Sequence, residues 1–116
     1  MATSSNRQVA QSGVEADGNR RYASGNWIVG SGREKEFIER WTEFLVWTRA
    51  SSAGLRSAHL IRDLEDPRHF ISFADWESGE AMQSWRSLPD FARMLGTCRA
   101  LCDDFHGSSY SVAATM

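Results

Sequence analysis

Six side chains carry the chemistry this sequence has to offer: Asn26, His59 and Trp76 as candidate catalytic groups, and Trp27, Trp85 and Arg86 as candidate contacts to a substrate. Tryptophan presents a large π-face at small entropic cost, so Trp76 and Trp85 are fit to wall a pocket for a flat aromatic molecule, and equally fit to pack a core. Asn26 falls inside a strand-like run where its type is disfavoured. Its amide needs buried partners or a ligand there, unless it lies at an exposed sheet edge. His59 is flanked by Ala58, Leu60 and Ile61. Histidine changes charge near neutral pH, which suits a general base, although a half-exposed strand is also an ordinary place for one. Arg86, Tyr110 and Asp75 are further polar candidates near the strand ends. His59, His69 and His106 show no short spacing of the kind that marks a metal site, so no metal is expected. Cys98 and Cys102 are four residues apart within a helical pattern, which suits two buried thiols better than a disulfide framework.

The elements that must position these groups can be read from punctuation and period. Residues 1–21 are rich in Ser, Gln, Asn, Gly and charge, cannot offset the entropy cost of ordering, and are expected to form a flexible tail. Residues 22–116 are then the single domain. Tyr22, Trp27, Ile28 and Val29 suit a first strand over 22–30, which Gly30-Ser31-Gly32 breaks. Phe37, Trp41, Phe44, Leu45 and Thr48 form one stripe of a helix over 33–50. Strands over 55–63 and 68–76 make a hairpin around Glu65-Asp66-Pro67. Ser78 is a fitting N-cap for a second helix with an apolar face of Ala81, Met82, Trp85 and Leu88. After Pro89, a helical stripe runs from Phe91 to Phe105, and a last strand covers 106–115. The order β-α-β-β-α-β predicts an α+β, ferredoxin-like domain with a four-stranded antiparallel sheet and its helices on one face. The other face needs cover, and a second copy of the chain is the simplest source, so a homodimer is expected.

Composition narrows the rest. A chain of 116 residues holds one core, and its net charge of -2 is scattered, so neither nucleic acid nor a membrane surface is an expected partner. With no apolar run long enough to span a bilayer and no leader-like N-terminus, a cytoplasmic protein is expected. Five Trp and six Phe exceed what one small core needs, which points to an aromatic pocket or a buried subunit interface.

The segment Trp76-Glu77-Ser78-Gly79-Glu80-Ala81-Met82-Gln83-Ser84-Trp85 resembles the W-E-S-x-E-A-x-x-x-W signature of antibiotic biosynthesis monooxygenases, and the resemblance runs from Tyr22 to Val112. It implies a dimeric α+β barrel that uses no cofactor, in which an electron-rich phenol or anthrone is deprotonated and reacts directly with O2. Trp76 matches a Trp of the quinone-forming branch. Ser72 stands at that branch's Asn position, and its Arg position falls near Gly96, between Arg93 and Arg99. In the haem-degrading branch the pocket Trp matches Trp85, and an Asn falls at or next to Asn26. Leu95 stands where that branch has its iron-ligating His, and an aliphatic side chain offers iron no lone pair, so haem degradation is disfavoured. The resemblance therefore implies a cofactor-independent monooxygenase acting on a small aromatic or polyketide-like substrate. The alternative is a non-catalytic, isomerase- or cyclase-type barrel that binds a small apolar molecule.

Overall fold

The computed structural model describes residues 18–116. Its elements are β1 (Arg21–Val29), α1 (Glu34–Ser51), β2 (Leu55–Arg62), β3 (His69–Trp76), α2 (Gly79–Arg86), α3 (Phe91–Arg99) and β4 (Cys102–Ser111). The strands form one antiparallel sheet in the order β2-β3-β1-β4, the ferredoxin-like α+β arrangement that the element order predicts. In α1 the buried residues Phe37, Trp41, Phe44 and Thr48 follow the helical period, with Glu34 and Glu36 in the first turn and Arg49 in the last, where the helix dipole favours each charge. Ser78 caps α2 by accepting a hydrogen bond from the Ala81 N–H at 3.1 Å. Pro89 separates α2 from α3, so the second helical region is two short helices.

Most boundaries shift by a single residue from those the sequence predicts, but β4 runs over Cys102–Ser111 where 106–115 is expected, and the tail ends earlier than expected. Helix α3 stops at Arg99 and β4 starts at Cys102, so Leu101, Cys102 and Phe105 are not part of a helix. Their spacing fits a helix face, but β1 lies inside the sheet, and its backbone polar groups need partners along its whole length. Strand β4 supplies them, from Arg21 opposite Ser111 to Val29 opposite Cys102. Cys98 is consequently buried in α3, whereas Cys102 is half-buried at the start of a strand, and both are free thiols. At the other end, the expected tail over 1–21 gives way early to the sheet. Arg21 opens β1, and Arg20 donates from Nε to Asp75 at 3.2 Å with its guanidinium 5.7 Å from the Tyr22 ring. The rest of that tail, residues 1–17, lies outside the described residues.

Register decides where side-chain volume goes. On the helix-facing side, Ala58, Ala74, Ala23 and Ser109 form one row across the four strands, and Leu60, Ser72, Gly25 and Gly107 form the next. The flanking rows are large, with Phe70, Trp27 and Phe105 on one side and Leu55 and Trp76 on the other. The opposite face carries Asn26, His59, His69, Ile71, Phe73 and His106. Ile61 and Tyr110 lie on it too, 50% and 54% exposed, and no helix of the described residues packs against it.

Candidate functional site

The two small rows leave a gap between sheet and helices, a cavity of about 420 Å³. That volume lies in the range of small-molecule pockets, roughly 300–1,000 Å³. Ala23, Gly25, Ala58, Ser72 and Ala74 make its floor. Helix α1 walls it with Trp41, Phe44 and Thr48, α2 with Trp85, α3 with Phe91 and Leu95, while Trp27 and Phe105 rise from the sheet. Exposed Gly107 and Ser109 on β4 leave one side open. Arg86 and Ser109 also line an outer groove with Arg21, Ser78 and Glu80, and so mark the mouth.

The aromatic walls are held by one another and by two buried hydrogen bonds. The Trp27 indole lies 4.1 Å from the Phe105 ring and donates its N–H to Ser72 Oγ at 2.9 Å. Gly25 makes room for that pair, since a Cβ there would stand 2.6 Å from Trp27 Nε1 and 2.8 Å from Ser72 Oγ. Trp85 packs edge-on against Phe91 at 4.8 Å and donates its N–H to Thr48 Oγ1 at 3.0 Å. The indole donors of Trp27 and Trp85 are thereby committed. The Ser72 hydroxyl accepts from Trp27, and its own proton has no acceptor among the described residues, so a polarised donor is left on the cavity floor.

Of the six side chains singled out in the sequence, the structure brings Trp27, Trp85 and Arg86 together at this cavity. It does not bring Asn26, His59 or Trp76 there. Gly25 and Trp27 occupy the inward positions of β1, so Asn26 points out of the opposite face, in a central strand and not at an edge. Its Oδ1 meets His69 Nε2 at 2.9 Å, His69 Nδ1 meets Asp63 at 2.9 Å, and Asn26 is exposed, so its amide is open to water and needs no buried ligand. His59 is turned away in the same manner by inward Ala58 and Leu60, and rests 5.3 Å from the Phe73 ring. Trp76 is wholly buried behind Trp85, with ring centroids 4.8 Å apart, and backs the wall without lining it. Its Nε1 has no partner among the described residues. Tyr110 is exposed on the open face, and Asp75 is tied to Arg20.

Residues 26–96 match the antibiotic biosynthesis monooxygenase family. The chain belongs to that family. Solved structures share its fold: a mutant of SnoaB, a cofactor-independent oxygenase from Streptomyces nogalater, matches with a TM-score of 0.78 at 17% identity, over 84% of this chain and 97% of the other. SnoaB itself gives 0.76 at the same identity and coverage. A conserved protein from Methanosarcina mazei gives 0.73 at 12% identity, again over 84% and 97%. No curated protein is significantly similar to the chain in sequence. The resemblance marks Ser72 only as the residue standing where the quinone-forming branch has Asn. That it lies beside Gly25 and under Trp27 follows only from the register. Leu95 presents an aliphatic side chain to the cavity.

Proposed function

We propose that this protein is a cofactor-independent monooxygenase that oxidises a small aromatic or polyketide-like substrate with O2 inside the aromatic-walled cavity. The observation that carries the reading is the cavity itself, a flat floor of small residues beneath Trp27, Phe44, Trp85 and Phe91. Membership of the monooxygenase family and the fold shared with an oxygenase support it. In the reaction an activated ring CH2 loses a proton and the carbanion adds O2. The resulting hydroperoxide, once protonated, loses water to leave a carbonyl. The substrate supplies the electrons, and the protein holds it dry and in place. In this reading the Ser72 O–H, polarised by the Trp27 indole, stabilises the oxyanion of the substrate. No carboxylate or imidazole of the described residues lines the cavity, so the substrate must be acidic enough to give up its proton to water at the mouth.

Oxygen uptake by the purified protein, without added metal, flavin or haem, against anthrones and hydroquinones tests this. Turnover is expected in the wild type. Ala74→Leu, which fills the floor, should abolish it, and Ser72→Ala should lower kcat by about 10². Unchanged turnover in Ala74→Leu would move the chemistry out of the cavity. The lack of a carboxylate or imidazole in the lining favours a second reading, a barrel that binds or isomerises a small apolar molecule. Ligand binding with no oxygen consumed would support that reading instead. A second copy of the chain on the open sheet face belongs to the same proposal, supported by Ile61, Ile71, Phe73 and Tyr110 on that face. So does a reducing, cytoplasmic setting, which suits two free thiols.

A further inference from the structure

The polarity of the cavity is lopsided. Among the described residues, Arg86 is the only charged one lining it. No carboxylate of the described residues lies within ion-pair distance of its guanidinium, whereas Arg20, Arg33, Arg40, Arg68 and Arg93 each have one. Burial pulls its pKa down from the ordinary value, a desolvation cost that an anionic partner would offset. Its place in the last turn of α2, beside Ser109, puts it at the mouth, not over the floor. Arg21 and Glu80 line the outer groove beyond it, and Arg21 is turned to the backbone carbonyls of Gly18 and Arg20. Deeper in, the indole N–H groups of Trp27 and Trp85 are spent on Ser72 and Thr48, which leaves those walls apolar to a ligand.

We propose that the cavity takes flat aromatic acids, with the rings between Trp27 and Trp85 on the small-residue floor and a carboxylate held at the mouth by Arg86. The inference rests on the cavity being the ligand site, as argued above, and adds the chemical class of the ligand and its orientation. A guanidinium matches a carboxylate with two parallel N–H···O bonds, which fixes which end of the molecule enters first.

Paired fluorescent probes test it: anthracene-9-carboxylate and anthracene-9-methanol, titrated into wild type, Arg86→Gln, Arg86→Lys and Ala74→Leu. The wild type is expected to prefer the carboxylate by about tenfold or more. Arg86→Gln should weaken the carboxylate by the same factor and leave the alcohol unchanged, while Arg86→Lys retains part of the preference. Ala74→Leu should lose both probes. Equal affinity of the wild type for the two probes, or carboxylate binding indifferent to Arg86→Gln, overturns the inference and leaves the cavity reading standing. Binding of neither probe, or of both to Ala74→Leu, overturns the two together.

Discussion

Two thiols sit where they resist ionisation. Burial pushes the Cys98 thiol up to about 12 and the Cys102 thiol up to about 11, and the neighbouring Cys102 and Asp103 charges act in the same direction. A thiol raised from its ordinary value near 9.0 favours the neutral form in the folded chain. Its stabilising contribution is therefore complete below pH 9 and is lost as the pH rises through the folded values of about 11 and 12. Native protein at pH 8 should release no thiol to a disulfide reagent on the minute scale, and both after denaturation; a fast native reaction would show that the pair is accessible. Side-chain type alone makes some of the candidate residues legible in advance. Trp27 and Trp85 declare themselves by type, because large aromatic rings seek the interior. Asn26 and His59 have types that suit chemistry, but strand alternation sends them outward, and alternation acquires a direction only once it is known which neighbours point in.

Helix α1 and the cavity wall on α2 are joined by one polar contact, Trp85 Nε1–H to Thr48 Oγ1, with Thr48 only 3% exposed. Thr48→Val keeps the shape and removes the acceptor, leaving a buried indole N–H unpaired. The expected cost is about 1–3 kcal/mol, read as a lowered denaturant midpoint; an unchanged midpoint would mean that the indole finds another acceptor. The elements themselves were largely legible. The stripe Phe37, Trp41, Phe44 and Thr48 has the helical period and nothing to contradict it, and Ser78 caps the helix that its position foretells. The start of β4 was not legible, because Leu101, Cys102 and Phe105 satisfy a helical spacing locally. The competing requirement, that β1 be paired along its length, belongs to a strand some eighty residues earlier in the chain. The small floor was hidden for the same reason: Ala23, Ala58, Ala74 and Ser109 look unremarkable in sequence and become one surface only through register.

Among the described residues, one face of the sheet is closed by helices and the other carries none. If a second copy closes it, as proposed, Ile61 lies in the contact, and Ile61→Lys should weaken the dimer at least about tenfold. Sedimentation of both forms at micromolar concentration checks this; a wild type that sediments as a monomer would remove the dimer. Ile61 is half-exposed on the face of the sheet opposite the cavity floor, so the fold itself should be kept. The overall architecture was open to sequence reasoning because element order alone fixes a split βαβ sheet, whereas the cavity follows from which residues meet across strands. That floor has a thermodynamic corollary. A guest lying on Ala23, Gly25, Ala58 and Ala74 rests on peptide planes and single methyl groups, which have no rotamers to freeze. Association should therefore release heat with little configurational penalty from the host and lower the heat capacity, as the burial of apolar surface on a preformed floor does.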